Sequence, residues 1–440
     1  RPTGGGGVPA GAVCALLAWS GMAPAAGASA GAVEREIIVT WKADQRVQLS
    51  LPGIEGQRPL GTRPETRRRL SLVRITDGAS LPEVLQALRR HPAIERAERN
   101  AEVRINWLPG DPRFSDQWHL KALGMPRAWE VRKDCDQQVV VVVLDTGVDL
   151  DHPDLADNLW RNPGERRNGR DDDGNGWVDD VHGVNIVDPT QAPEDHVGHG
   201  THVAGVIGAV PGNGQREAGI CRNVRLMPIK FLGGNVGSLA NAIEGLDYAY
   251  SIAERFPQKN YVINNSWETS EQRQNIEDKF LEGEADNIFF VSAAGNGSAT
   301  GNNSVDQRYP ANYRNELDNM MAVAGQGQAG GLAASSNYSL SLVDLAAPGA
   351  DILSTYAGGG FATETGTSMA APQISGLAAM AWSLHPGLSS YALKGALLRN
   401  VDPFDALVGK LIVPGRPDAP ALLKRAGTGQ PALFRVGPGG

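Results

Sequence analysis

Val139-Val140-Val141-Val142-Val143-Leu144-Asp145-Thr146-Gly147 is the stretch that decides the fold. A β-strand sends successive side chains to opposite faces. A run that is apolar at every position is therefore a strand covered on both sides, as in a parallel sheet with helices above and below it. Further strands are predicted at Arg225–Leu232, Tyr261–Asn265, Asn287–Ala293 and Met321–Ala324. Between them, Leu239, Ile243, Leu246 and Tyr250 recur at helical spacing within Ser238–Arg255. This alternation argues for an α/β fold, a doubly wound, mostly parallel sheet flanked by helices. Asp145 falls where the apolar run ends, at the carboxyl edge of the sheet, where such folds place their ligand sites.

Three other stretches carry chemistry. In His199-Gly200-Thr201-His202-Val203-Ala204-Gly205, a small-residue helix begins with a histidine free to face a cleft. In Ala293-Ala294-Gly295-Asn296-Gly297, a strand ends in small residues and then presents an amide. In Gly366-Thr367-Ser368-Met369-Ala370-Ala371-Pro372, a serine opens a buried helix, where backbone N–H groups and the positive dipole end favour an oxyanion. Each has a plain structural alternative. Asp145 can cap a turn, the histidines can be satisfied in a core, Asn296-Gly297 can be a simple turn, and Ser368 can be an N-cap. His199 and His202 also lack the intervening Glu of an H-E-x-x-H zinc helix.

The order Asp145, His199, Asn296, Ser368 makes four coincidences implausible. These stretches resemble the catalytic motifs of the subtilase family, and the likeness extends over about Asp111 to Asp402. The resemblance implies a serine endopeptidase. Ser368 attacks the scissile carbonyl, His199 takes and returns the proton, Asp145 orients His199, and Asn296 with the Ser368 N–H binds the oxyanion. It also implies a substrate cleft along Gly234–Ser238 and Asn265-Ser266-Trp267. The specificity pocket would lie between Ser266-Trp267-Glu268 and Ala293-Ala294-Gly295, near Tyr309-Pro310-Ala311. Glu268 departs from the glycine usual in the family. It narrows the pocket, or favours a basic residue at the cleavage position, or, as the preferred reading has it, turns to solvent.

Calcium is the expected cofactor. Asp111, Asp154 and Asn213 match positions around a calcium site in the family, with carbonyls from the loop Val210–Ala218. Separately, Asp171, Asp173 and Asn175 have the oxygen spacing of the first half of an EF-hand loop, although His182 stands where its last Glu would be.

Ahead of the catalytic region, residues 34–107 form a small α+β unit, with a strand at Glu36–Trp41, another at Leu70–Ile75 and a third ending near Ile105. Ser80 and Glu83 are placed as a capping box for a helix carrying Val84, Leu85 and Leu88 on one face. The resemblance makes this unit an inhibitory propeptide, an intramolecular partner cut off between about Ile105 and Gly110. The unit holds 14 Lys+Arg against 10 Asp+Glu, whereas the whole chain has a net charge of -8. Attraction between a basic front piece and an acidic body and mere uneven composition are equally good readings of that split. The overall negative charge speaks against nucleic acid as a partner.

Residues 1–33 contain Val13-Cys14-Ala15-Leu16-Leu17-Ala18-Trp19 and small-residue sites at Ala28-Ser29-Ala30 and Ala30-Gly31-Ala32. They read as a secretory signal shortened at its start, and the protein is expected to be extracellular or periplasmic. No stretch reaches the roughly 18 apolar residues of a membrane span. Outside that segment the cysteines are Cys135 and Cys221, free thiols or, after export, a disulfide. The catalytic domain is placed at 108–410, and 411–440 is expected to be a loose Pro/Gly-rich tail of a monomer. Two other functions share these motifs. One is an enzyme passing the acyl group to an amine; the other is an inactive binding protein that keeps the fold.

Overall fold

The computed structural model describes residues 35–42, 45–60, 68–100, 109–214, 217–285 and 287–426. The signal-like segment, most of the expected cleavage region and residues 427–440 lie outside them. The chain divides into two compact units, residues up to 105 and residues from 106.

The first unit is a four-stranded antiparallel sheet, order β2-β3-β1-β4, with β1 at Glu36–Trp41, β2 at Ile54–Pro59, β3 at Leu70–Ile75 and β4 at Ile94–Arg99. The helix Leu81–Arg90 turns Val84, Leu85 and Leu88 inward, against Ile37, Val39 and Trp41. The expected α+β character holds. Ser80 does occupy the N-cap position, but its side chain makes no capping bond, so the expected capping box does not form. Pro82, in the first turn, supplies no N–H and starts the helix by its fixed φ.

The second unit is built on seven parallel strands in the order β11-β10-β9-β8-β5-β7-β6. These are β5 at Val139–Asp145, β6 at Val184–Asn185, β7 at Arg225–Lys230, β8 at Asn260–Asn265, β9 at Ile288–Ala293, β10 at Met320–Gln326 and β11 at Leu345–Pro348. Every residue of β5 is buried. Val139, Val141 and Val143 enter one core with the helix Thr367–Leu384, and Val140, Val142 and Leu144 enter the other with Leu239–Arg255. Full burial is worth about 1.5–3 kcal/mol for each such side chain, which explains a run with no polar position. The chain reaches β7 on one side of β5 and β8 on the other, so the winding reverses at the strand that carries Asp145.

Two features differ from expectation. A hairpin of β12 (Ile352–Tyr356) and β13 (Gly360–Glu364) lies just before the Ser368 helix. Residues 411–426 are no loose tail. In the second hairpin, β14 (Val401–Pro403) pairs with β15 (Gly415–Pro417). The helix Ala419–Arg425 then starts at Asp418, whose side chain accepts the Ala421 N–H, and buries Leu422 and Leu423 in the main core. Gly415 and Pro417 lie in β15 and Pro420 in the first turn of the helix, so the frequency of Pro and Gly misled the reading of composition. Cys135 and Cys221 form a disulfide, with their Cα atoms 5.7 Å apart. No helix among the described residues is long and apolar enough to cross a membrane.

Candidate active site

The carboxyl ends of β5, β8 and β9 lie side by side, and each delivers one part of the site. At the end of β5, Asp145 is completely buried. Its Oδ1 accepts the Thr146 N–H at 2.7 Å and meets Nδ1 of His199 at 2.8 Å. His199 is the first residue of the helix His199–Gly208. That helix comes so close to the β5 turn that a Cβ on Gly200 would stand 2.1 Å from the Gly147 carbonyl, which requires glycine there. Thr146 Oγ1 accepts the Gly200 N–H, and Asp195 accepts N–H groups from Val197, Gly198 and Thr201. Burial opposes protonation of His199. The charge and hydrogen bond of Asp145, aided by the charges of Glu364 and Asp195, outweigh it and push the ring up to about 9.

Ser368 is the second residue of the helix Thr367–Leu384, two positions past the N-cap Gly366, so it is not itself the N-cap. Pro372 lies four residues on and has no N–H for the Ser368 carbonyl. That carbonyl instead accepts the Ser266 hydroxyl at 2.9 Å, while the Ser368 hydroxyl donates to the Ser266 carbonyl at 3.1 Å. An interior proline thus frees the backbone group that ties the Ser368 turn to the end of β8. The structure joins Asp145 to His199 directly and Ser368 to Ser266, and His199 and Ser266 line one cavity of about 450 Å³. Gly234, Trp267 and Glu268 line it too.

Asn296 follows the end of β9. Its Oδ1 accepts the Thr367 N–H at 3.0 Å, so its amide is oriented by the residue preceding Ser368. Ala293 and Ala294 are buried, and the Gly295 N–H donates to Thr367 Oγ1. Glu268 meets the preferred expectation only in part: the residue is exposed, but its carboxylate turns inward to the opposite wall. Its Oε2 accepts the Asn296 N–H at 3.2 Å and lies 3.5 Å from Nε of Arg308. Burial raises its pKa, while Arg308 and the Asn296 N–H lower it. Arg308, Asp195 and Glu364 were not singled out from sequence, since no local motif marks them.

Asp111, Asp154 and Asn213 come together. The Gly212 N–H donates to Asp111 at 2.7 Å, and the Asn213 amide donates to Asp154 at 2.7 Å. Asp111 Oδ1 and Asp154 Oδ2 are buried with no hydrogen-bond partner among the described residues, and burial raises both pKa values. In the second acidic stretch only Asp173 belongs to the cluster that forms, with Glu165 and Asp180. Asp171 accepts the N–H groups of Gly174, Asn175 and Gly176, and the Asn175 amide donates to Asp180. Their hydrogen bonds make a turn and a brace, and neither belongs to the cluster whose ligand atoms lie within reach of one another. Glu165 Oε2 is buried without a hydrogen-bond partner among the described residues. Orphaned carboxylate oxygens of this kind fit a hard cation with oxygen ligands.

Residues 136–436 match the Subtilase family, and the chain belongs to it. It is 30% identical over 341 residues to the thermophilic serine proteinase of Bacillus sp. (strain AK1), covering 77% of this chain and 75% of that one. It is 31% identical over 302 residues to subtilisin-like protease 1 of Plasmodium berghei, covering 65% of this chain and 49% of that one. The chain thus spans about half the length of that relative. Among solved structures, a protease of Pseudoalteromonas arctica superposes with a TM-score of 0.54 at 28% identity, covering 72% of this chain and 99% of the other.

Proposed function

We propose that this protein is a secreted serine endopeptidase made as a zymogen, cleaving protein and peptide substrates through an acyl-enzyme. One observation carries the reading: the Asp145–His199 hydrogen bond at the sheet's switch point, on the same edge as the Ser368–Ser266 and Asn296–Thr367 contacts. Before attack the Ser368 hydroxyl leaves the Ser266 carbonyl for Nε2 of His199. His199 accepts the proton as Ser368 Oγ bonds to the scissile carbonyl carbon, then returns it to the leaving amine. Asp145 keeps Nδ1 protonated and stabilises the imidazolium. The Asn296 amide and the Ser368 N–H take the oxyanion. Water, deprotonated by His199, then releases the acyl group.

Residues 34–107 act as the propeptide, removed by self-cleavage. The signal-like sequence and the Cys135–Cys221 disulfide support export, since disulfides persist in oxidising compartments. Calcium would be held by Asp111 and Asp154 with the Val210–Ala218 loop, and by Glu165, Asp173 and Asp180. When bound it supplies charge compensation that stiffens the loops. The test is labelling by a fluorophosphonate together with intact mass. The wild-type chain is expected to label at Ser368 and lose its front unit, and the Ser368→Ala chain to do neither. A wild-type chain that stays full length and unlabelled refutes the proposal.

A further inference from the structure

The pocket expected to take the residue on the acyl side of the scissile bond has two walls, which continue β8 and β9, neighbours in the sheet. The Glu268 side chain reaches from the first wall to the second. Its Oε2 accepts the backbone N–H of Asn296 and lies 2.1 Å from where a Cβ on Gly295 would stand. Arg308 closes the gap from a third segment. Its Cγ is 3.0 Å from that same point at Gly295, and its Nε is 3.5 Å from the carboxylate. The strut is held at both ends, because Thr269 and Tyr309, the residues after Glu268 and Arg308, exchange two backbone hydrogen bonds of 2.9 Å. The Arg308 side chain is only 19% exposed and that of Glu268 33%.

The carboxylate already has a backbone donor and a guanidinium, so it is committed. A large apolar side chain entering between the walls must pull apart a partly buried ion pair, which leaves charge uncompensated. A cationic side chain meets Arg308 beside the carboxylate it seeks. The open volume of the cleft, which Glu268 also borders, is lined by Phe231, Leu239 and Trp267.

We propose that Glu268 and Arg308 together bar the acyl-side pocket and restrict it to small residues such as Gly, Ala or Ser. The inference rests on the endopeptidase reading above. The experiment uses the enzyme produced from the full chain and four peptide p-nitroanilides that differ only in an acyl-side Ala, Leu, Phe or Arg. Wild type is expected to favour Ala over each of the others in kcat/KM by at least about tenfold, a discrimination within reach of a pocket wall. Glu268→Gly and Arg308→Ala are each expected to raise the Phe:Ala ratio by at least about tenfold. If one variant does not fold, the other and the wild-type panel still decide. A wild type that prefers Leu, Phe or Arg, or a ratio that moves in neither variant, overturns the inference alone. No turnover of the Ala peptide by protein that labels with fluorophosphonate also overturns it. Absence of both label and turnover removes the endopeptidase reading and this inference with it.

Discussion

Breaking the Cys135–Cys221 bond should cost stability without touching a residue of the site. Cys135 lies shortly before β5, and Cys221 lies between the His199 helix and β7. The bridge therefore clips together the starts of β5 and β7, away from the edge that holds Asp145 and His199. The two cysteines are 86 residues apart. The loop-entropy relation gives about 15 cal/mol/K for that length, or about 4.6 kcal/mol at room temperature. That is a large share of the roughly 5–15 kcal/mol that holds most folded proteins together. For a unit of about 320 residues, with an unfolding entropy near 2.1 cal/mol/K per residue, it corresponds to a Tm lower by about 7 °C. The assay is thermal unfolding at one scan rate of Cys135→Ala/Cys221→Ala against its parent, both carrying Ser368→Ala to prevent self-digestion. A fall below about 2 °C, or two titratable thiols in the unfolded, unreduced parent, refutes the reasoning.

Asn296→Ala should lower kcat by about 10²–10³, the loss recorded for the corresponding oxyanion asparagine of subtilisin; near-normal kcat in steady-state peptide hydrolysis rejects that role. His199 must be neutral to accept a proton, and its ring is pushed up to about 9, so kcat/KM should rise with pH until near that value. Glu364→Gln removes a negative charge that favours the protonated ring, so the limb should move to lower pH; a limb that stays or moves up contradicts this. Chelation by EDTA should lower Tm, because Asp111, Asp154 and Glu165 each keep a buried oxygen with no hydrogen-bond partner among the described residues. An unchanged melting curve would remove both proposed calcium sites.

What the sequence made legible was local. Val139–Leu144 could only be a strand covered on both faces, and His199 and Ser368 each sit in a short motif at a helix start. What escaped it depends on contacts between distant segments. Glu268 appeared free to face solvent because its partner Arg308 comes from another segment and the Asn296 N–H from a third. Asp171 and Asn175 have ligand spacing, yet local turn geometry uses them, while Glu165 and Asp180 complete the cluster from flanking loops. Pro372 stands in the motif that opens the Ser368 helix, and its neighbours in sequence do not show what it does. Its role, leaving the Ser368 carbonyl for Ser266, shows only once β8 and the helix are side by side.

The most direct measurement of the central claim is casein or peptide hydrolysis by the wild-type chain beside Ser368→Ala, at equal concentration of folded protein. The wild type should cleave, and the variant should lose activity by a factor on the order of 10⁶, as the corresponding serine knock-out does in subtilisin. Equal rates in the two proteins, or no cleavage by either, would contradict the assignment of Ser368 as the nucleophile of an endopeptidase.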